Sequence, residues 1–234
     1  MAIGTLDYKP AKLVMEMTNQ VEQAYRINAV QKEPWTVEFI ESVPEGSVFW
    51  DIGANTGPYT LIAAHRGLLT VAIEPAANNY AALCRNLAMN NLLDRCIVLC
   101  LAVADSDRFD WFHYQDMRQG AASHVLGGER KQFFHKQLMQ VLTWDKLFTA
   151  LPLPQDKPHY AKVDVDGGEL LVLKGASTVL RNPALQGLVI EMHEKFEEEM
   201  AKLLAKAGWN LAARFDEREG KSMGPVAYGR FERG

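Results

Sequence analysis

The chain has 234 residues, of which 48% are hydrophobic and 23% are charged, values that fit a folded globular protein and exclude a disordered or fibrous one. Its 25 basic and 29 acidic residues give a net charge of -4 and are scattered, which argues against a nucleic-acid-binding surface. No apolar run reaches the ~20 residues of a membrane span and no signal-peptide pattern is present, so we expect a cytoplasmic protein without nucleic-acid or membrane partners.

The first part of the chain predicts helical structure. Apolar residues recur at a helical period over residues 10–42, with an interruption at Pro34 and a short second helix in TVEFIESV. Pro44 and Gly46 then predict a turn. We therefore divide the chain into an N-terminal helical extension, residues 1–46, and a main domain, residues 47–234. The extension could cover a binding site or pair with a second copy of the chain as a homodimer.

From residue 47 onward, predicted strands and helices alternate. The strand segments are SVFWDI, LLTVAIE, CIVLCLAVA, RFDWFHY, HYAKVDVD, GLVIEMH, WNLAARF and PVAYGRF. The helical segments are GPYTLIAAHRG, AANNYAALCRNLAMNNL, TWDKLFTAL with Thr143 as N-cap, GELLVLKGASTVLRN and KFEEEMAKLLAKAG. Residues 115–137 have no clear period and predict a long loop. The alternation predicts a doubly wound α/β fold with a mostly parallel sheet, whose ligands bind at the carboxyl ends of the strands.

The loop after the first strand of the main domain, in FWDIGANTGPYT, carries two glycines and an acid. A phosphate-binding loop would need a lysine after its last glycine, but Pro58 follows Gly57. A dinucleotide fingerprint would need glycine where Asn55 stands, and Asp51 would repel a pyrophosphate. An acid at this strand end instead suits a cationic ligand such as S-adenosylmethionine. Glu74, at the end of the next strand, can accept hydrogen bonds from a ribose in either kind of cofactor.

Several motifs together resemble one known family. The segments VFWDIGANTGPYTLIAA, VAIEPAANNYAALCRNLAMNN, LAVAD, LTWDKL, AKVDVDGGELLVLKGA and VIEMH follow one another as in FkbM-type methyltransferases, a class I S-adenosylmethionine-dependent family. The resemblance extends from about Glu33 to about Trp209. It implies a Rossmann-like sheet of seven strands with an antiparallel last strand. It also implies methyl transfer to an oxygen of a sugar, a polyketide or a related small molecule.

The same resemblance implies roles for individual residues. The methionine end of the cofactor would be lined by Asp51, Gly53, Ala54, Asn55, Gly57, Tyr59 and Thr60. Glu74 and Pro75 would lie at the ribose, and Ala102 and Val103 near the adenine. Members of the family commonly have glutamate where this chain has Asp166, and an aliphatic residue where it has Thr56.

Methyl transfer to an alcohol needs a base near the cofactor, and two strand ends offer candidates. Lys162, Asp164 and Asp166 alternate along one strand and so share a face, which makes them candidate catalytic residues. His193 ends the next strand on the same face as Glu191 and is a candidate general base. A structural ion pair and a surface histidine are the alternatives for these two groups. No metal site is predicted, because two aspartates and a histidine could gather an ion but nothing in their spacing requires one.

Two other functions remain open at this point. A non-catalytic binding or scaffold protein could keep the fold and the cofactor, an alternative motivated by Asp166 and by the unassigned loop 115–137. A nicotinamide-dependent oxidoreductase is the third possibility, and it conflicts with Asp51. His124 and His135 in the long loop could contact an acceptor.

Overall fold

The structure is a computed structural model that describes residues 2–20, 22–127, 133–216 and 226–233. The strands in chain order are β1 (Ala2–Thr5), β2 (Val14–Met17), β3 (Val48–Ile52), β4 (Leu69–Ile73), β5 (Cys96–Leu99), β6 (Ala102–Val103), β7 (Arg108–Tyr114), β8 (Val125–Leu126), β9 (His135–Leu142), β10 (His159–Val163), β11 (Leu185–His193), β12 (Trp209–Asp216) and β13 (Val226–Arg233). The α-helices are α1 (Ala29–Lys32), α2 (Pro34–Ser42), α3 (Pro58–His65), α4 (Ala77–Met89), α5 (Trp144–Ala150), α6 (Glu169–Lys174) and α7 (Glu194–Lys206). None of the helices in these ranges is long and apolar enough to cross a membrane.

A seven-stranded sheet forms the centre of the main domain. Its strand order is β12-β13-β11-β10-β3-β4-β5. Strands β11, β10, β3, β4 and β5 run parallel to one another, and the last strand, β13, is antiparallel to both of its neighbours. The predicted doubly wound α/β fold with an antiparallel last strand is therefore confirmed.

Alternation along the central strands divides the core into two layers. Val48, Trp50 and Ile52 of β3 lie in a buried cluster with residues of α5, α6 and α7. Phe49 lies in the cluster on the opposite face, which includes residues of α2, α3 and α4. Asp51 is two residues after Phe49 on the same strand, so its side chain lies on the same face, the α3 side of the sheet. Asp51 also lies near the carboxyl end of β3. Lys162 is its register partner on β10.

A second sheet of four strands, ordered β6-β9-β7-β8, stands apart from the central sheet. It corrects two predictions. The segment CIVLCLAVA forms two short strands, β5 and β6, in different sheets. The predicted loop 115–137 contains β8 and the beginning of β9 within its described part, and residues 128–132 lie outside the described residues. The periodicity missed β9 because its first residues, His135 to Gln137, are polar, whereas the strand forms by antiparallel pairing with β7.

The N-terminal helical prediction is wrong for residues 14–17 and correct for α2. Strand β2 pairs with β1 as an antiparallel hairpin, and a π-helical turn (Glu22–Arg26) and α1 follow it. The hairpin is held by tertiary contacts, because Asn86 of α4 and Asn90, its C-cap residue, accept backbone N–H groups of β2 at 2.7 and 2.9 Å. Contacts between residues so far apart in sequence are not visible in the local apolar period, which therefore predicts a helix. Val21, part of the predicted period, lies outside the described residues.

The helix predicted over GELLVLKGASTVLRN is also interrupted. Helix α6 ends at Lys174, and a separate 3₁₀ turn covers Val179–Arg181. The break lies at Gly175, where a Cβ atom would stand 2.0 Å from the carbonyl oxygen of Ala104. The prediction for α5 is confirmed, including the N-cap, since the hydroxyl of Thr143 accepts the backbone N–H of Lys146 at 3.1 Å.

Candidate active site

The glycine loop, residues 51–60, is the segment that runs from the end of β3 into the first turn of α3 at the carboxyl edge of the sheet. The carboxylate of Asp51 is fully buried and accepts a hydrogen bond from the hydroxyl of Thr60 at 2.6 Å. Burial raises the pKa of Asp51, and the nearby ammonium of Lys162 opposes that rise. Gly53 has φ +89, and a Cβ atom there would lie 1.7 Å from the carbonyl oxygen of Asp164. The chain therefore requires glycine at this position to bring β3 and β10 together at their ends.

Glu74 connects the glycine loop to the end of β4. One carboxylate oxygen accepts the backbone N–H of Asn55 at 2.8 Å, and the other accepts that of Ala76 at 2.8 Å. The side chain is 5% exposed, and burial raises the pKa of Glu74 to about 7. Glu74 is therefore a buried acid at the end of β4 that ionises near neutral pH.

Lys162 lies at the centre of a buried charged cluster. Its ammonium donates to Asp164 at 3.1 Å, stands 3.8 Å from Asp51, and lies 5.2 Å from the centre of the Tyr59 ring. Burial alone would lower the pKa of Lys162, but the carboxylates of Asp164 and Asp51 outweigh it and raise that pKa. The hydroxyl of Tyr228 donates to Asp164 at 3.3 Å. Asp164, whose side chain is 19% exposed, is thus an oriented carboxylate at the edge of a buried ion pair.

Asp166 has a left-handed backbone, with φ 56. Burial and the neighbouring Asp164 raise the pKa of Asp166, while the backbone N–H of Ser123 donates to its carboxylate and opposes that rise. This contact brings the chain segment after β7 onto the loop after β10. Asp166 therefore lies between the sheet edge and a segment that crosses above it.

That covering segment, residues 115–124, accepts hydrogen bonds from side chains of the N-terminal extension, the glycine loop and α4. Arg26 donates to the carbonyl oxygen of Gly120 at 3.0 and 2.6 Å. The side-chain amides of Asn55 and Asn79 both donate to the carbonyl oxygen of Ala121, each at 3.0 Å. The N-terminal extension, the glycine loop and helix α4 therefore meet at one short stretch of backbone.

Glu169, Glu191 and His193 form a second group of titratable side chains beside Asp164. The ligand-type atoms of the three residues all lie within 4.8 Å of one another. Glu191 Oε2 and His193 Nε2 are 3.3 Å apart. Glu169 Oε1 accepts the backbone N–H groups of Val165 and Gly167 at 2.8 and 3.1 Å. The carboxylate of Glu191 raises the pKa of His193, and burial raises the pKa of Glu191 to about 8.

Ala102 and Val103 lie in β6, which belongs to the four-stranded sheet. Ala102 shares a buried cluster with Ala76, the residue that follows Pro75. The thiol of Cys100 lies 3.8 Å from the carbonyl oxygen of Pro75. The segments after β4 and after β5 are therefore neighbours at the edge of the central sheet, as a pocket that spans both strand ends requires.

Comparison with known proteins decides the family. The profile of the methyltransferase FkbM domain matches residues 51–211, which is more than half of the chain. The chain belongs to the FkbM methyltransferase family. It is therefore an S-adenosylmethionine-dependent methyltransferase, and the resemblance found in the sequence motifs is confirmed.

Individual relatives agree with this assignment. The chain is 25% identical over 189 residues to the hexuronic acid methyltransferase AglP of Haloferax volcanii, a match that covers 80% of this chain and 74% of the relative. A magnesium protoporphyrin IX methyltransferase from Synechocystis PCC 6803, solved with bound S-adenosylmethionine, has a similar fold with a TM-score of 0.54 at 12% identity, over 94% of this chain and 86% of that one. A precorrin-6y C5,15-methyltransferase from Geobacter metallireducens GS-15 gives a TM-score of 0.51 at 13% identity, over 94% and 93% of the two chains.

In this FkbM methyltransferase most of the predicted site residues, all but Ala102 and Val103, fall into three neighbouring groups. Asp51, Tyr59, Thr60, Lys162 and Asp164 are in direct contact or share the buried ion cluster. Gly53, Ala54, Asn55 and Gly57 form the glycine loop, and Asn55 contacts Glu74, which precedes Pro75. His193 lies against Glu191 at the end of β11, and Asp166 lies under the covering segment. Ala102 and Val103 stand apart in the second sheet.

Two residues of the site were not predicted. Tyr228 reaches Asp164 from β13, where it is the register partner of Glu191. Glu33, between α1 and α2, is fully buried, and its negative charge acts on both Lys162 and Tyr59. Tyr228 lies in a strand that also carries Arg230 and Glu232, so its position in the site follows only from the strand register. The sequence around Glu33 has no signal that relates it to the site.

Proposed function

We propose that this FkbM methyltransferase transfers the methyl group of S-adenosylmethionine to a hydroxyl oxygen of a sugar or a related small molecule. The observation that carries the proposal is the Asp164 carboxylate, held by Lys162 and Tyr228 at the end of β10 beside the glycine loop. A hydroxyl acceptor needs a nearby base, and this carboxylate is oriented and partly exposed. The similarity to a hexuronic acid methyltransferase favours a sugar.

The residues around the glycine loop suit a cationic cofactor. Asp51 Oδ1 is buried and accepts no hydrogen bond from any of the described residues, so the negative charge of this carboxylate is only partly compensated. The sulfonium and ammonium groups of S-adenosylmethionine carry the complementary charge. We assign the methionine end of the cofactor to the glycine loop from Asp51 to Thr60, the ribose hydroxyls to Glu74 beside Pro75, and the adenine to the side of Ala102 and Val103.

The reaction is an in-line displacement. The acceptor oxygen attacks the methyl carbon, the carbon–sulfur bond breaks, and S-adenosylhomocysteine leaves as a neutral thioether. Most of the rate enhancement comes from holding the oxygen, the methyl carbon and the sulfur in line. The hydroxyl proton passes to the carboxylate of Asp164, whose charge and position are maintained by Lys162. Asp166 and His193 both interact electrostatically with Asp164, and we assign them to the acceptor side of the site.

A transfer assay tests the acceptor class. The purified enzyme is incubated with S-adenosylmethionine and a panel of hexuronic acids, neutral hexoses and the corresponding glycosides, and S-adenosylhomocysteine release and product mass are measured. We expect a methyl ether, which survives alkaline hydrolysis. A base-labile product would be an ester of the acid group and would contradict transfer to a hydroxyl. Cofactor binding without transfer to any acceptor would favour the non-catalytic alternative.

Matched variants test the residues. Asp164→Asn should retain the thermal stabilisation by S-adenosylmethionine and lose transfer by about 10²–10⁴-fold, the usual contribution of a general base. Asp156→Asn, at an exposed position in a connecting loop, is the control and should keep both properties. If Asp164→Asn loses cofactor binding as strongly as Glu74→Ala, Asp164 is a cofactor ligand and not the base.

The proposal extends to the location and the assembly of the enzyme. The scattered charge and the small-molecule acceptor favour a cytoplasmic enzyme that acts without nucleic acid. A homodimer formed through the N-terminal extension stays a prediction, and light scattering on the purified protein would test it.

A further inference from the structure

The group formed by Glu169, Glu191 and His193 is a second chemical centre beside the proposed acceptor site. It combines two carboxylates and an imidazole, which are ligand types for divalent transition metals. The carboxylates are almost completely buried, with exposed fractions of 1% for Glu169 and 6% for Glu191. Charged groups at that depth need compensation from a partner or a metal ion.

The geometry within the group also suits a set of metal ligands. Glu191 Oε2 and His193 Nε2 face each other at 3.3 Å, and no third described residue forms a hydrogen bond with either atom. Ligand atoms about 2.1 Å from one ion, in tetrahedral or octahedral arrangement, are themselves separated by roughly 3.0–3.5 Å. The observed separation falls in that range. The third ligand atom, from Glu169, lies within 4.8 Å of both.

Local structure orients all three ligands before any ion binds. The backbone N–H groups of Val165 and Gly167 both donate to one oxygen of Glu169, which leaves the orientation of the carboxylate defined. Glu191 and His193 lie two residues apart on β11 and therefore point to the same face. Outer contacts of this kind orient the ligands in metal centres.

The surrounding charge also favours a cation. The mutually interacting carboxylates around Asp164 are those of Glu33, Asp51, Asp164, Asp166, Glu169 and Glu191. The cations among the described groups that act on them are Arg26, Lys32 and Lys162. A divalent ion bound by Glu169 and Glu191 would compensate the negative charge of their ionised carboxylates.

We propose that Glu169, Glu191 and His193 bind a divalent transition metal ion, with at least one coordination position open to the acceptor. The role of the ion in catalysis rests on the proposed function, whereas its binding does not. A hydroxyl oxygen coordinated to the ion has a lowered pKa. Its O–H bond breaks as the proton passes to Asp164, and the oxygen takes the methyl group as the carbon–sulfur bond of S-adenosylmethionine breaks. His193 then acts as a metal ligand and not as a base, and this proposal departs from the sequence-based expectation of no metal site.

Binding is tested without acceptor or cofactor. The full chain is dialysed against a chelator and titrated with Mn²⁺, with free Mn²⁺ followed by electron paramagnetic resonance, and with Zn²⁺ by calorimetry. We expect one specific site per chain. Glu191→Gln and His193→Gln should each weaken Mn²⁺ binding by at least about tenfold, the lower limit seen for groups that support a metal ligand.

Two surface substitutions are the matched controls. Glu198→Gln lies at an exposed position of α7, and His65→Gln at the exposed end of α3, and neither should change Mn²⁺ binding. Thermal stabilisation by S-adenosylmethionine, measured for every variant, verifies that the domain is folded. Absence of a specific site, or a site that Glu191→Gln and His193→Gln leave unchanged, would overturn the proposal.

The outcomes separate this inference from the proposed function. Specific Mn²⁺ binding with no transfer to any hydroxyl would leave the metal site standing and refute the proposed reaction. Undiminished sugar methylation in excess chelator, together with no Mn²⁺ binding, would support the proposed reaction and refute the metal site. Loss of transfer in chelator that added Mn²⁺ restores supports both.

Discussion

Replacement of Gly53 by alanine should disturb both the stability and the chemistry of this enzyme. The residue has φ +89, and its added Cβ atom would lie 1.7 Å from the carbonyl oxygen of Asp164. No side-chain rotation relieves that contact, because the backbone fixes the position of the Cβ atom and the other atom is a backbone carbonyl oxygen. The end of β3 must therefore move away from the end of β10, and Asp164 moves with it.

A matched substitution allows the magnitude to be worked out. Gly46 also has a positive φ, +77, but a Cβ atom there has nothing within 4 Å. Gly46→Ala should cost about 1–2 kcal/mol of unfolding free energy, the penalty of a left-handed L-residue. Gly53→Ala should add about 1–3 kcal/mol of steric strain to that penalty. Each kcal/mol corresponds to a fall of roughly 2–4 °C in the melting temperature of a domain of this size.

Urea denaturation and a methyl-transfer assay together test the reasoning. The Gly53→Ala enzyme should lose more unfolding free energy than Gly46→Ala. It should also lose transfer by about 10²-fold, as a displacement of about 1 Å commonly does, whereas Gly46→Ala keeps its activity. Equal losses of stability in the two variants would refute the close approach of Asp164, and full activity of Gly53→Ala would refute its position in the site.

Three further predictions concern buried polar groups. Burial raises the pKa of Glu74 from 4.5 to about 7, so the folded state without cofactor should lose stability as the pH rises from about 4.5 to about 7. Ribose hydroxyls donate to the ionised form, so S-adenosylmethionine affinity should instead increase from about pH 6 to 8, and isothermal titration should find no such increase in Glu74→Gln. Lys162→Met should cost about 3–5 kcal/mol of unfolding free energy because Asp51 loses its cation. The double variant Lys162→Met, Asp51→Asn should be more stable than Lys162→Met alone, as a double-mutant cycle would show. Asn86→Ala removes the acceptor of the Glu16 N–H at 2.7 Å and should cost about 1–3 kcal/mol, with faster hydrogen exchange at the Glu16 amide.

The central part of the site could be predicted from the sequence because it depends on local patterns. Asp51, Glu74 and Lys162 belong to apolar strands or follow them directly, and parallel strands bring their carboxyl ends to one edge of a sheet. Their positions therefore follow once the alternation of strands and helices is recognised. Tyr228 contacts Asp164 only through the pairing of β13 with β11, and that register depends on the folded sheet. Glu33 precedes a helix and has no pattern that relates it to Lys162.

The N-terminal hairpin could not be predicted for a related reason. Apolar residues of β2 recur at spacings that also fit a helix, and local periodicity does not distinguish the two. The side-chain amides of Asn86 and Asn90 decide between them, because they bind backbone groups of β2 that a helix would occupy internally. Those contacts join residues at least 70 positions apart in sequence.

The parts of the site that the sequence left unassigned are those that would discriminate between acceptors. Arg26 of the N-terminal extension and Asn79 of α4 both bind the backbone of Gly120, and Ser123 of the same segment donates to Asp166. These contacts hold residues 115–124 against the N-terminal extension, the glycine loop and the loop after β10. In the proposed site the sheet edge supplies the cofactor-binding groups, and the covering segment and the extension face the acceptor. Because the covering segment is held by side-chain contacts to loop backbone, we expect substitutions in it to change the acceptor without altering the sheet.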